Sequence, residues 1–358
     1  MKKLLFLLLF SFTFSLQQSI AQSFSTGGGG SAERSDKNFQ FMPVPYINYD
    51  RTLGLSVGAL PMAMYNLSKT DTISPSSISG ALGLYTTNKS WFTLGFSKFY
   101  FAEDRYRVTV AGGVGDFNYQ TYVGFPLNGF LQYATGVNFI KGEIQRKVIK
   151  NLYAGVNYMY TDFENSFDIV PDTTSTVQLQ TLGFIVSYDH RDDVYYPTKG
   201  EIGNVNIDVS PDFLGNDQPN TKITIDFNKY FAFKEGRDIL ATRMYVGFGV
   251  GDLTFNQQFI VGQSDIRGYT QAKYRGNAMY NIQGEYRWNF HKKMAVNFFA
   301  GLATVSGAND SSQNGILLPG VGVGYRYNVF PKNHMNVGLD AAVGRDDWGI
   351  YFRIGEAF

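Results

Sequence analysis

Asn281-Ile-Gln-Gly-Glu-Tyr-Arg-Trp-Asn-Phe290 alternates without a break. Asn281, Gln283, Glu285, Arg287 and Asn289 fall on one side of an extended chain, and Ile282, Gly284, Tyr286, Trp288 and Phe290 on the other. Strict period two of this kind describes a β-strand with one polar and one apolar face. The apolar face ends on Trp288 and Phe290, as expected for the aromatic girdle where a strand leaves the hydrocarbon of a bilayer. Val205, Ile207 and Val209 alternate in the same way with Asn204, Asn206 and Asp208, and Ile223, Ile225 and Phe227 with Thr224, Asp226 and Asn228. These stretches predict an all-β protein, an antiparallel transmembrane barrel with its polar side chains inward.

Composition agrees with a barrel and disagrees with a helical membrane protein. There are 31 Phe, 24 Tyr and 39 Gly among 358 residues, yet the mean hydropathy is only −0.17. Spanning helices need runs of about 18 or more apolar residues, and none follows the N-terminal segment. That segment reads as a secretory signal peptide over 1–21. Lys2 and Lys3 precede an apolar run from Leu4 to Leu16, and Ser19-Ile20-Ala21 supplies small residues for cleavage. Export to the bacterial outer membrane is the expectation. Without Lys2 and Lys3 the 31 basic residues become 29 against 30 acidic ones, so no basic surface for nucleic acid is indicated. The chain has no Cys, which rules out a lipidated N-terminal Cys, disulfides and thiolate metal sites.

Residues 22–40 read as a flexible polar linker around Gly27 to Gly30, and 41–52, with Pro43 and Pro45, as a strap ahead of the barrel. Sixteen strand-length segments fill the barrel region, 53–358: approximately 53–65, 77–87, 90–101, 104–112, 115–124, 131–148, 151–165, 176–190, 200–212, 219–234, 238–251, 275–290, 293–305, 315–329, 335–344 and 347–358. With the first strand running outward, the periplasmic turns are short, at 87–89, 113–114, 150, 291–292 and 331–334. The external loops at 66–76, 125–130, 166–175, 213–218, 252–274 and 306–314 are mostly longer, as in bacterial barrels. Phe358 ends the chain, and Glu356, Ile354, Phe352, Ile350 and Trp348 precede it at steps of two.

Three segments resemble one family, the outer-membrane assembly and translocation superfamily of BamA, TamA and the two-partner secretion transporters, also called the bacterial surface antigen domain. Tyr188-Asp-His-Arg-Asp-Asp193 with Pro197-Thr-Lys-Gly200 is similar to the family's periplasmic turn, which marks Asp189, Arg191, Asp192, Pro197 and Gly200. Val261-Gly-Gln-Ser-Asp-Ile-Arg-Gly-Tyr269 resembles its Arg-Gly-Tyr loop, which in the family folds into the lumen between strands 11 and 12. Phe352-Arg-Ile-Gly-Glu-Ala-Phe358 is like its closing strand, an assembly signal carried here by Phe352, Ile354, Gly355 and Phe358.

The resemblance implies that Arg267, Gly268 and Tyr269 anchor the inward loop. A guanidinium can bind a wall carboxylate through two charge-assisted hydrogen bonds, and glycine permits the sharp turn beside it. The family's partner, an Asp two residues before a Gly on strand 13, is Phe299 here, in Asn297-Phe-Phe-Ala-Gly301. Glu285 or Asp340, both on lumen-facing positions, is the expected substitute. The family's periplasmic POTRA modules of roughly seventy-five residues do not fit between Ala21 and the first strand. A barrel-only branch is therefore implied.

Enzymatic chemistry finds little support, and no cofactor is indicated. Gly54-Leu-Ser-Val-Gly58 matches a nucleophile elbow, but Ser56 lies in an alternating strand rather than a strand-turn-helix. His190, His291 and His334 sit at separate turns without metal-ligand spacing. Gly247-Phe-Gly-Val-Gly251 has no helix after it to bind a dinucleotide. Asp208, Asp226, Glu285 and Asp340 are read as lumen carboxylates paired with Arg or Lys. Two functions follow: biogenesis or export, through an opening seam between first and last strands or a loop-gated lumen, and a structural barrel acting as scaffold or complex subunit. The seam strands are expected to be weakened by Gly54, Gly58, Gly349 and Gly355. Expected partners are outer-membrane lipid and lipopolysaccharide, the barrel-assembly machinery during insertion, and a protein partner or second copy.

Overall fold

The computed structural model describes residues 39–50, 53–123, 129–167, 174–194, 196–251, 253–254, 257–262, 265–269, 273–308, 313–330 and 335–358. The signal peptide read over 1–21 and the linker as far as residue 38 lie outside the described residues. Sixteen antiparallel strands form one barrel. They are β1 (Phe39–Asp50), β2 (Gly54–Tyr65), β3 (Ser77–Thr86), β4 (Trp91–Phe101), β5 (Tyr106–Val123), β6 (Gly129–Ile149), β7 (Leu152–Phe167) and β8 (Thr174–Asp189), followed after the 190–199 connection by β9 (Gly200–Ser210), β10 (Asn220–Phe233) and β11 (Asp238–Gly251). A two-stranded hairpin of β12 (Phe259–Ile260) and β13 (Arg275–Gly276) interrupts the longest connection. The barrel resumes with β14 (Ala278–His291), β15 (Met294–Ser306), β16 (Leu318–Phe330), β17 (Met335–Gly344) and β18 (Asp347–Ile354), which returns to β1.

The strand number agrees with the sequence reading, but two strands differ in compensating ways. The stretch taken as a strap is β1, paired with β2 at every position from Phe39↔Tyr65 to Asp50↔Gly54. The barrel thus begins at 39 rather than 53, and Gly54 and Gly58 belong to β2, away from the seam. Conversely, 104–112 and 115–124 are one strand, β5, which runs straight through the supposed turn at 113–114. Gly113 and Gly115 are there because a Cβ would lie 2.7 Å from the Phe139 ring at one and 2.7 Å from the Phe92 ring at the other. Glycine in a strand marks close packing here, not a break.

Joining the two halves of β5 changes the end at which the early connections lie. The 66–76 loop sits at the end where β1 starts and β18 finishes, and the 87–90 turn at the opposite end. The hydrogen bonds show it. Asp71 accepts from the Glu103 amide at 2.9 Å, and Ser74 Oγ from the Asp104 amide at 2.7 Å, tying the loop to the 102–105 turn. The last strand also differs. β18 stops at Ile354, Gly355 takes a φ of +80°, and Glu356, Ala357 and Phe358 turn into the lumen.

Strand parity sets the two faces. On β14, Asn281, Gln283, Glu285 and Arg287 are buried inside, while Tyr280, Ile282, Trp288 and Phe290 are exposed outside. β1 to β4 reverse the sizes. Their inner face carries Met42, Val44, Leu60, Met62, Leu82, Leu84, Phe92, Leu94 and Phe96, all buried. The outer face of β2 to β4 carries the small, exposed residues Ala59, Ala81, Gly83, Thr93 and Gly95 between the larger Val57, Tyr85 and Trp91, while that of β1 carries Phe39, Phe41 and Ile47. The barrel interior is therefore apolar on one side and charged on the other.

Asp71 fastens the 66–76 loop. Burial alone would raise its carboxyl pKa, but hydrogen bonds from the Ser74 hydroxyl and amide and from the Glu103 and Ile73 amides outweigh it and hold the value at about 2. The folded value lies below the ordinary one, so this contribution is complete above the ordinary carboxylate range and disappears only as pH falls towards about 2. Asp71→Ala should free the loop at neutral pH, and trypsin should cut at Lys69 faster than in the wild type while the barrel resists SDS at room temperature as before.

Candidate functional site

The middle of the 252–277 connection lies against the inner faces of β14 to β18. Gly268 has a φ of +105°, and a Cβ there would lie 2.6 Å from the Val343 carbonyl carbon, so the loop reaches the β17 backbone only with glycine. The Gly268 amide donates to Tyr351 Oη at 2.9 Å. Tyr269 Oη donates to the Pro319 carbonyl at 2.5 Å and accepts from the Arg345 amide at 3.0 Å. The side-chain amides of Asn281 and Gln283 both donate to the Asp265 carbonyl, Gln283 at 2.7 Å.

Arg267 is almost fully enclosed. One guanidinium nitrogen lies 2.7 Å from Asp340 Oδ2, another 2.8 Å from Glu285 Oε2, and the group stacks 3.3 Å from the centre of the Phe299 ring. Both carboxylates that the sequence offers thus meet the arginine. Phe299, directly across from Glu285 in the β14–β15 register, supplies a cation–π face.

The two carboxylates belong to a larger network that the sequence does not single out. Asp340 also binds Arg326, and Arg353 Nε at 2.9 Å. Glu285 binds Arg287 Nε at 3.1 Å. Glu356, turned inward past Gly355, accepts from Arg326 at 3.2 Å, Asn297 at 2.9 Å and Asn336 at 2.7 Å. Arg287 donates to the Phe358 main-chain oxygen at 2.6 Å. Ala357 and Phe358 pack on Ile202, Tyr230, Ile239 and Ala241 across the lumen floor. Space for these charges comes from glycine opposite them. A Cβ on Gly324, paired with Asp340, would lie 2.1 Å from its carboxylate oxygen. The Ile354 side chain, read as part of the terminal signal, lies outside the described residues.

The turn motif forms a second knot at the end where β1 starts. Arg191 binds Asp189 through two nitrogens, at 2.9 and 3.1 Å. Asp192 Oδ1 accepts from the Thr198 and Lys199 amides at 2.9 and 3.1 Å, closing the connection on itself. Gly200, with φ +97°, leaves room for the His190 carbonyl, which a Cβ would approach to 2.1 Å. Pro197 turns its carbonyl towards Arg287 at 3.5 Å. Arg107, unremarked in the sequence, joins this knot to the 102–105 turn. It binds Asp189 at 3.2 Å and Asp104 at 2.9 Å, and lies 3.6 Å from the centre of the Tyr153 ring.

The seam is the third feature. Among the described residues β1 and β18 share a single registered pair, Tyr49↔Ile350, where β17 and β18 share eight. Below it, Tyr46 meets Phe352 edge to face with ring centres 6.3 Å apart. Ser56 faces inward from the middle of a strand, with no helix following. His190 lies on the 190–199 connection, His291 ends β14, and His334 lies outside the described residues. Among the described residues no group of three or more His, Asp or Glu side chains is placed to hold a metal ion.

Residues 63–358 match the Omp85 superfamily domain. No curated protein matches the chain by sequence. Among solved structures, BamA from Haemophilus ducreyi lacking POTRA domains 1–3 is 15% identical, with 90% of this chain and 70% of that one covered and a TM-score of 0.57. CdiB from Acinetobacter baumannii is 12% identical, with 90% and 60% covered and a TM-score of 0.62. CdiB from Escherichia coli is 11% identical, with 90% and 63% covered and a TM-score of 0.63. The chain thus spans between 60% and 70% of the length of these proteins, and the likeness to them is one of fold. With the domain matched over most of its length, this chain belongs to the Omp85 superfamily of outer-membrane β-barrels.

Proposed function

We propose that this barrel acts in outer-membrane biogenesis or export by opening the seam between β1 and β18, with the Arg267 loop as a fixed brace rather than a moving gate. The observation that carries this reading is the single registered pair among the described residues of the seam. A ladder that short leaves most of the β1 edge unpaired, and strand separation there breaks few hydrogen bonds. Moving the loop, by contrast, would pull Arg267 from two carboxylates and an aromatic face and strand all three in a closed space. The barrel-assembly machinery would insert the protein, guided by the closing strand with Phe352, Ile354, Gly355 and Phe358, and lipid with lipopolysaccharide would surround it.

One observation favours a second reading, a scaffold or dimer joined through the lipid-facing wall. Ala59, Ala81, Gly83 and Gly95 make a small-residue patch on the outer face of β2 to β4, beside the exposed Val57, Tyr85 and Trp91, and small residues let membrane proteins approach closely. Cross-linking of intact membranes through a Cys at position 81 would show a dimer if this face is an interface.

Two variants test the main reading. Arg267→Ala leaves Glu285 and Asp340 short of a buried cation, a loss of roughly 3–5 kcal/mol for breaking a buried pair. The loop should then be cut by trypsin at Lys273 well before the wild type, and Arg267→Lys, a point charge without the planar fork, should rescue it only in part. A Tyr49→Cys and Ile350→Cys pair, placed on facing residues of an antiparallel ladder, should form a disulfide. Oxidised, it should make cells that depend on the protein permeable to large antibiotics, and reductant should reverse this. A locked seam that leaves the outer membrane intact would exclude the reading.

A further inference from the structure

The rim of the barrel at the end where β1 starts carries more positive charge than its own carboxylates answer. Arg146 faces outward from β6 between the exposed Ile144 and Val148. Lys150, Lys199, Arg237, Lys292 and Lys293 are exposed on the connections that follow β6, β8, β10 and β14. Among the described residues no carboxylate pairs with Arg146, Lys150, Lys199, Lys292 or Lys293. Arg237 comes only to 4.0 Å of Asp238, which Lys234 already holds at 2.5 Å. The exposed acids of this rim are Glu103, which pairs with Arg105 at 3.3 Å, and Glu235. The opposite rim is mixed, with Glu164, Asp212 and Asp346 exposed there alongside Lys89 and Arg345.

Two features identify what these bases meet. The first is depth. Phe231 and Phe233 point outward just before Arg237, and Trp288 and Phe290, with ring centres 5.5 Å apart, point outward just before Lys292 and Lys293. Outward aromatic side chains mark the level where hydrocarbon gives way to headgroups, so the charges just beyond them stand level with the lipid phosphates. Arg146 reaches the same layer by keeping its stem on apolar surface while the guanidinium extends to the headgroups. The second is spread. The bases follow the wall from the β6–β7 turn to the β14–β15 turn instead of gathering on one side. A docked protein covers one patch, whereas a shell of lipid touches the whole perimeter. In the expected orientation, with both ends of the barrel in the periplasm, this rim lies in the leaflet built of phospholipid.

We propose that this rim binds the headgroups of anionic phospholipid in preference to zwitterionic phospholipid, and so holds a shell of acidic lipid around β6 to β15. A single base beside an anionic surface favours an acidic lipid about fivefold, and salt weakens the attraction. Seam opening plays no part in this binding.

The three tryptophans supply the test, because Trp288 alone lies at this rim while Trp91 and Trp348 begin β4 and β18 at the other. Full-length protein carrying Trp91→Phe and Trp348→Phe is placed in bilayers of equal parts phosphatidylethanolamine and phosphatidylglycerol, with bromine on the acyl chains of one lipid at a time. Bromine quenches only the tryptophan it touches. Brominated phosphatidylglycerol should quench Trp288 more than brominated phosphatidylethanolamine does, as an enrichment of about fivefold beside it requires. The excess should vanish in Lys292→Gln with Lys293→Gln and fade in high salt. Protein with Trp348 as its single tryptophan should be quenched alike by both lipids. Resistance to SDS at room temperature shows that each variant is folded. Equal quenching of Trp288 by the two lipids overturns the proposal, as does an excess that the Gln variant keeps or that Trp348 shares. Because the chain has no Cys, Lys150→Cys and Lys292→Cys each add a single thiol. A thiol that a soluble maleimide reaches in vesicles but not in native membranes would place a protein over the rim and overturn lipid as its occupant.

Discussion

Hydrocarbon offers no hydrogen bonds, so every backbone N–H and C=O that it touches must find a partner inside the protein. This one constraint explains the sixteen-stranded closure, the long registers between neighbours and the tolerance for glycine where side chains crowd the interior. Satisfaction is nearly continuous around the wall. β5 and β6 pair from Tyr106↔Arg146 to Val123↔Gly129, and β10 and β11 along their whole length. The β2–β3 ladder skips Leu60 and Pro61, and the widest gap among the described residues lies between β1 and β18, where a proline edge meets a strand that turns away. Because the constraint holds so strictly elsewhere, the place where it lapses is also the place where the wall separates most easily.

The seam also divides two kinds of interior. β18 contributes Arg353 and Tyr351 to the charged side and then sends Glu356 and Phe358 into the lumen. Buried charges are costly to desolvate, and a network in which each group meets several partners offsets that cost better than isolated pairs do. Asp340 meets Arg267, Arg326 and Arg353, and Glu356 meets Arg326 and two asparagines. Across the seam, β1 begins a side held by dispersion and burial, with Met42 and Val44 against the β2 to β4 wall. The charged side is directional and tied to the inward loop and tail. The apolar side is not, and side chains such as Met62 can rearrange without leaving a polar group unmet. In the opening proposed above, β1 would therefore be the partner free to move.

Much of this was legible in the sequence, and the failures have physical causes. Period two assigned faces correctly on β14, β9 and β10 because one face there is polar. On β1 to β4 both faces are apolar, so parity carries no sign, and only the sizes of Leu82 and Leu94 against Gly83 and Gly95 distinguish inside from outside. Pro43 and Pro45 argued against a strand because proline cannot join a ladder, yet an edge strand with those positions facing the seam loses nothing on its β2 side. Gly113-Val114 read as a turn because spacing alone cannot show the Phe139 and Phe92 rings that crowd Gly113 and Gly115. Glu285 and Asp340 were named from charge and parity, and Arg267 from the likeness of its loop to the family's. Arg326, Arg353 and Glu356 needed the register of β16 to β18 and the turn at Gly355, which alternation along one strand does not contain.

Phe299 shows how an anchor can move without being lost. A carboxylate at this position would face Glu285 directly across the β14–β15 ladder, and like charges so placed destabilise a sheet. Glu285 already supplies the negative charge from the neighbouring strand, and its longer side chain reaches the same guanidinium at 2.8 Å. The position freed on β15 then serves Arg267 better as a ring, whose face attracts the cation without adding a charge to be desolvated. Asp340 completes the site from β17, on the far side of the ring's own strand. Anchoring depends on the charge that the wall presents to Arg267, not on which strand carries it.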